Sequence, residues 1–171
     1  SLKIDTDIIK KCLRVGPILY REIFIPKKNG GKRSISIPAD DLKVIQRAIL
    51  EKLYSKISLP LCVYGFSKEK TIIENAKYHA NQECLLNLDI QNFFPTVHFE
   101  KIKQMYRDLG FSEPLSGILC KLTTYNYKLP QGAPTSPFLA SLALNNLDYR
   151  LITLVKENHI SYTRYFDDLC F

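Results

Sequence analysis

A chain of 171 residues with 46% apolar side chains and no low-complexity tract is long enough for one sizeable hydrophobic core, or for one domain with an added lobe. Its 24 lysines and arginines against 17 acidic residues give a net charge of +7, which points to a polyanionic partner without choosing between nucleic acid and a membrane surface. No apolar run approaches the roughly 20 residues that span a bilayer, no signal-peptide pattern opens the chain, and the five cysteines form no C-x-x-C pair; a membrane anchor, a zinc site and a disulfide framework are all disfavoured, and free buried thiols are expected.

In chain order, residues 3–14 show a loose helical spacing of apolar side chains (Ile4, Ile8, Ile9, Cys12, Leu13). Residues 20–26 and 33–38 read as strands flanking Lys27-Lys28-Asn29-Gly30-Gly31-Lys32, a glycine-rich hairpin loop. Asp40-Asp41 open a helix running to about Ser55, with Leu42, Ile45, Ile49, Leu50 and Leu53 on one face. A further helix is predicted over 70–81, then a strand from Cys84 to Ile90. Helices follow at 99–108, 113–122 and 135–155, the first two separated by Gly110 and Pro114. The last element is a strand over 160–166, rich in Tyr, Thr and Phe. Strands and helices in this irregular order indicate an α+β fold rather than a doubly wound sheet. The chain ends three residues after Asp168, where a hairpin would still need its second strand, so the sequence reads as a piece of a longer protein.

The most informative residues are Asp167 and Asp168, at the end of the final strand, together with Asp89 at the end of the Cys84–Ile90 strand. Adjacent carboxylates repel unless a cation neutralises them. Two such strands side by side would bring three carboxylates to one point, a hard oxygen set suited to Mg²⁺ and to in-line phosphoryl transfer. The plainer alternative is that Asp167-Asp168 is only a hairpin turn, and taken alone the pair favours it.

Its company changes that balance. Leu129-Pro130-Gln131-Gly132-Ala133-Pro134-Thr135-Ser136-Pro137, Ile90-Gln91-Asn92-Phe93-Phe94-Pro95 and Ile25 to Pro38 resemble, in order and spacing, the motif series of reverse transcriptases of the bacterial retron type. Val63-Tyr64-Gly65-Phe66 and Asn75-Ala76-Lys77-Tyr78-His79 sharpen the resemblance, which runs from about residue 20 to the last. It implies a right-hand polymerase. Residues 1–82 would be fingers-like and 83–171 the palm, with an antiparallel sheet packed on helices, and the thumb would lie beyond Phe171.

The resemblance also implies roles. Asp89, Asp167 and Asp168 would be catalytic, and with the Ile90 carbonyl would ligate two Mg²⁺ ions, Mn²⁺ being a substitute. Phe94 matches an aromatic gate against the ribose 2′-hydroxyl; the alternative for Phe94 and for Phe93, in the same nucleotide-binding stretch, is ordinary core, Phe93 more so. Asn92, Gln131 and Gly132 match nucleotide-contacting positions, since glycine permits close backbone approach and glutamine can bond sugar or template. Arg33, with Lys27 or Lys28, would clamp the triphosphate of a dNTP; a merely solvated basic hairpin is the alternative. Thr135 and Ser136 suit helix capping. Asn75 and His79, four apart on one helical face, are either architectural or in contact with RNA template. Tyr125, Tyr127 and Lys128 could stack on or steer template bases. Phe166 stands beside primer terminus and nucleotide where most retron-like enzymes carry Ala, which puts substrate preference in question.

The partners so implied are a structured non-coding RNA serving as template and primer, the RNA–DNA duplex, dNTPs and an associated effector protein, in a bacterial cytoplasm and in anti-phage defence. Two rivals stand beside this reading: a defence-associated or group II intron-like enzyme of the same fold, and a non-catalytic RNA-binding scaffold. Three retained carboxylates argue against the scaffold, because a dead site has no use for them.

Overall fold

The fold is taken from a computed structural model that describes residues 4–27, 30–66 and 70–171. Lys28 lies outside the described residues. Close contacts divide the chain into two compact units, Ser1–Ile57 with Phe94–Leu139, and Ser58–Phe93 with Ala140–Phe171.

In the first unit, α1 (Thr6–Val15) starts where the Asp5 carboxylate accepts from the Asp7 amide at 2.9 Å and ends at Gly16, whose φ of +60° is open to glycine at little cost. A short 3₁₀ turn leads into β1 (Tyr20–Pro26), which pairs antiparallel with β2 (Lys32–Pro38) from Tyr20↔Pro38 to Pro26↔Lys32. The hairpin is as expected, with Lys27 N–H donating to the Gly31 carbonyl at its mouth (3.1 Å). Helix α2 (Asp40–Tyr54) follows; Asp40 and Asp41 occupy its first turn, where they face the positive end of the helix dipole.

Leu42, Ile45, Ile49 and Leu53 of α2 are buried as their spacing predicts, and Leu50 is half-buried. Gln46 is buried with them, its Nε2 donating to the Tyr20 hydroxyl and the Leu122 carbonyl, both at 2.8 Å. Burial pushes the Tyr20 phenol up to about 12. α5 (Phe99–Asp108) and α6 (Glu113–Thr123) complete this core with Ile102, Met105, Tyr106, Leu119 and Leu122.

In the second unit, α3 (Ile72–Tyr78) opens with a capping box between Thr71 and Glu74 and is shorter than the helix predicted over 70–81. A sheet in the order β3 (Asn87–Asp89), β5 (Asp168–Cys170), β4 (Thr163–Tyr165) packs its core from Cys62, Val63, Val155, Tyr162 and Leu169. α8 (Asn145–Glu157) belongs to this unit, while α4 (Phe93–Thr96) and α7 (Ser136–Ala143) each have residues in both units.

Three expectations are corrected. The helix over 135–155 is two helices: a tight bond from Leu144 N–H to the Ser141 carbonyl (3.2 Å) closes α7, and the apolar spacing runs through the break, hiding it from periodicity. The hairpin does not lack its second strand, because Asp168–Cys170 form it. The Asp89 strand therefore pairs with these residues and not with 160–166. Thr135 and Ser136 make no side-chain cap; their hydroxyls are buried without hydrogen-bond partners among the described residues.

Cys12, Cys62 and Cys120 are buried free thiols, Cys84 is an exposed one, and burial raises Cys62 and Cys120 to about 12, far from thiolate chemistry. Among the described residues, no helix is long and apolar enough to cross a membrane.

Candidate active site

The run Tyr162 to Phe166 is a strand former broken by two carboxylates, and it folds as a hairpin closed by the pair Tyr165↔Asp168. Phe166 and Asp167 are its loop. Phe166 has φ +59° and Asp167 is not among the positive-φ residues, the sign pattern of a type II′ turn, whose first position glycine usually fills. Asp167 is thus in the turn and Asp168 is the first residue of the strand that follows it.

Asp168 begins the central strand and lies opposite Asp89 on β3. The ladder extends past β3, with Ile90 N–H donating to the Asp167 carbonyl (3.0 Å) and Leu86 and Phe171 exchanging bonds at 3.0 and 2.9 Å. Asp89, Asp167, Asp168 and Ile90 therefore occupy neighbouring positions at this end of the ladder. The Asp168 carboxyl is held above its ordinary range, first by partial burial, then by the charges of Asp167 and Asp89. Asp89 and Asp168 are exposed and Asp167 is half-buried.

Carboxylates supply the hard oxygen donors a divalent cation needs, so this donor set fits one. Among the described residues, however, no three His, Cys, Asp or Glu side chains are drawn close enough together to form a metal cage. Among the described residues, none forms an ion pair with Asp89, Asp167 or Asp168.

Further along, Asn92 takes the left-handed conformation (φ +52°), Phe93 is buried at 3% exposure, and Phe94 is half-buried in α4. Phe93 thus has the core place that was its simpler reading. His79 is also buried, its Nε2 2.7 Å from the Thr163 hydroxyl on β4, while its Nδ1 and the Asn75 Oδ1 have no partner among the described residues. Of the two alternatives for His79, this placement is the architectural one.

The remaining residues belong to the first unit. Arg33 and Lys27 are exposed at the loop end of the β1–β2 hairpin. Gln131 is half-buried, and its carbonyl accepts from the Ser36 amide of β2 at 2.7 Å. At Gly132, φ is +128° and a Cβ would stand 2.8 Å from the Ser36 carbonyl oxygen, so the close backbone approach for which the glycine is needed is to β2. The loop is thereby tied to the strand that carries Arg33. Tyr127 is 77% exposed on a turn whose ends, Tyr125 and Lys128, bond each other.

Sequence reasoning missed Arg164 and Gly65. Arg164 is wholly buried one residue before Tyr165, and Gly65 abuts Phe166. Alternation could have found the first: on a strand Arg164 shares a face with Tyr162, and both bond the same buried carboxylate, Asp148.

Comparison with known proteins bears on this arrangement. A family model described as reverse transcriptase (RNA-dependent DNA polymerase) matches residues 25–171. The retron Ec86 reverse transcriptase of Escherichia coli is 34% identical over 171 residues, covering 99% of this chain and 53% of that protein. The retron Mx65 reverse transcriptase of Myxococcus xanthus is 34% identical over 170 residues, covering 89% of this chain and 40% of that one. The chain thus spans about half the length, or less, of these curated relatives. Among solved structures, telomerase from Candida albicans, in complex with a fragment of telomeric RNA, superposes with a TM-score of 0.59 at 9% identity, covering 88% of this chain and 37% of that one, a likeness of fold alone.

Proposed function

The chain belongs to the reverse transcriptase family, and from that premise we propose that it is the fingers and palm of a retron-type, Mg²⁺-dependent RNA-directed DNA polymerase. Residues 1–82 are the fingers-like part and 83–171 the palm. The single observation that carries the reading is the pairing of Asp89 with Asp168 across adjoining strands, with Asp167 in the turn beside them.

Asp89, Asp167 and Asp168, with the Ile90 carbonyl, hold the metal; Mn²⁺ can substitute. When bound, the ions neutralise charge on the phosphates and activate the attacking hydroxyl. Arg33 and Lys27 take the triphosphate of the incoming dNTP, the guanidinium as a fork on two oxygens. Asn92, Gln131 and Gly132 border the nucleotide, Phe94 excludes the ribose 2′-hydroxyl by contact, and Phe166 lies toward the primer terminus. Positioning and charge neutralisation supply the rate, as general for phosphoryl transfer.

The partner is a structured RNA copied into DNA from one of its own 2′-hydroxyls, in the bacterial cytoplasm, with an effector protein and a role in anti-phage defence. The net charge of +7 supports backbone-dominated, salt-sensitive binding of the duplex, with sequence left to base pairing.

The test is to purify the full-length protein from its host beside an Asp167→Asn/Asp168→Asn control and treat the co-purifying nucleic acid with RNase, DNase and debranching enzyme. DNA joined to RNA through a 2′ branch, absent from the control, is the expected result. Heterogeneous DNA without an RNA joint would replace the retron reading by untemplated synthesis. RNA alone, equal in both samples, would leave a binding scaffold.

A further inference from the structure

Arg164 is 0% exposed, and every N–H of its guanidinium is used. Nε donates to Asp148 Oδ1 at 2.9 Å and Nη2 to Asp148 Oδ2 at 2.6 Å, a fork on a carboxylate that is itself fully buried. Nη1 donates to the Ser141 hydroxyl at 3.1 Å and Nη2 to the Ser141 carbonyl at 3.0 Å. The remaining Nη1 proton goes to the carbonyl of Phe166 at 3.0 Å. An arginine has five such donors and a lysine three, so only arginine satisfies this set.

A buried ion pair is poor value as a source of stability, since apolar residues of the same volume often do as well. The one acceptor outside α7 and α8 is the carbonyl of Phe166, the residue forced to φ +59° at the tip of the hairpin that carries Asp167 and Asp168. A bulky side chain there persists only where its surroundings over-determine it.

A second brace meets the same residue. Arg164 N–H donates to the Cys62 carbonyl and Tyr64 N–H to the Arg164 carbonyl, both at 2.8 Å, so the segment 62–66 runs along the end of β4. A Cβ on Gly65 would stand 2.7 Å from the Phe166 nitrogen and 2.9 Å from its ring, and the Phe66 ring meets the Phe166 ring edge-on at 4.6 Å.

We propose that Arg164, neutralised by Asp148, is a positioning residue: it holds the Phe166 carbonyl, with Gly65 as a backstop, so that the turn keeps Asp167 and Asp168 beside Asp89 for the metal. The inference rests on the polymerase reading and assigns no chemical step to Arg164.

The test uses the full-length protein with its RNA, comparing wild type, Asp167→Asn, Arg164→Lys, Gly65→Ala and the triple replacement Arg164→Met/Asp148→Leu/Tyr162→Phe. The triple removes the buried charges together and keeps an apolar core where Arg164→Lys fails to fold, and Gly65→Ala disturbs the brace without touching a charge. Mn²⁺ affinity is read by electron paramagnetic resonance, alongside thermal unfolding, RNA affinity, and kcat and KM for dNTP.

The expected result is a loss of about 10- to 100-fold in Mn²⁺ affinity and in kcat, the size usual for groups that orient metal ligands, with dNTP KM and RNA affinity within about twofold of wild type. Folded variants with unchanged Mn²⁺ affinity and kcat, beside an impaired Asp167→Asn, would overturn the inference alone and leave the pair a packing feature. Wild type and Asp167→Asn alike in Mn²⁺ binding and DNA synthesis would overturn the polymerase reading and this inference with it.

Discussion

Asp89 faces Asp168 on a rung of the β3–β5 ladder that carries no hydrogen bond of its own. Leu86 and Phe171, three rungs away, exchange both bonds, and Ile90 bonds Asp167 one rung on, so alternation makes Asp89–Asp168 the closer, non-bonded kind of pair. Two carboxylates set there oppose each other at the shortest cross-strand spacing a sheet offers, which is destabilising until a cation arrives.

Asp168→Asn is therefore expected to stabilise the metal-free protein at neutral pH, by about 0.2–1 kcal/mol, the range of cross-strand charge pairs. The sign with pH follows from the raised carboxyl. Its stabilising protonated form is fully present below the ordinary value of 3.8 and is lost as pH rises through the higher folded value. The advantage of the variant should thus appear above that folded value and vanish toward 3.8. Mg²⁺ should raise the unfolding temperature of the wild type more than that of the variant. Thermal scans at several pH values, with and without Mg²⁺, measure both; equal stability of the two proteins at pH 7 without metal would contradict the argument.

His79 gives the opposite slope. Burial against β4 holds its imidazole below the usual 6.5, so the stability it contributes is present above that value and lost as pH falls through the lower folded value. The unfolding midpoint of the wild type should drop on acidification below about pH 6.5, and His79→Gln should flatten that drop. At neutral pH, His79→Ala should cost about 1–3 kcal/mol, the penalty for stranding the buried Thr163 hydroxyl. RNA affinity unchanged in folded His79→Gln would fit the architectural role; a large loss of affinity at unchanged stability would return the residue to the RNA-contacting one.

What was legible in the sequence follows from the range of each interaction. The β1–β2 hairpin, the buried face of α2 and the turn at Asp167-Asp168 are written in short-range pattern: glycines in a loop, apolar residues at helical spacing, β-formers ending in carboxylates. β5 is too short for any periodic signal, and it is fixed only by its pairing on both sides. Arg164 and Gln46 look like ordinary polar residues until their partners arrive, Asp148 on another element and Leu122 far along the chain. Gly132 reads in the sequence as a place where backbone approaches a nucleotide; the close approach present in the fold is to Ser36 of β2, a tertiary contact that no local pattern carries.

Two glycines of the first unit should respond oppositely to the same change. Gly132→Ala forces a Cβ to 2.8 Å from the Ser36 carbonyl at φ +128°, and should cost about 1–3 kcal/mol while loosening the loop from the strand that bears Arg33. Gly117→Ala, inside α6 with nothing within 4 Å of its Cβ, should gain about 0.5–1 kcal/mol from helix propensity. Denaturant unfolding compares the pair, and KM for dNTP should rise in the first variant only. Equal stability of the two would mean that the Ser36 contact does not hold the loop.

Phe93 and Phe94 allow a separation by burial. Phe93 is a core residue, so Phe93→Ala should lose about 3–5 kcal/mol of stability and act on DNA synthesis only through folding. Phe94 is half-buried, and Phe94→Ala should leave the fold largely intact while relaxing discrimination against ribonucleotides by about 10- to 200-fold, the scale of one lost steric contact in a pocket. The ratio of kcat/KM for matched deoxy- and ribonucleoside triphosphates measures it. A ratio unchanged in Phe94→Ala would remove the steric gate from this residue, and a ratio shifted in Phe93→Ala at equal folded fraction would move it one position back along the chain.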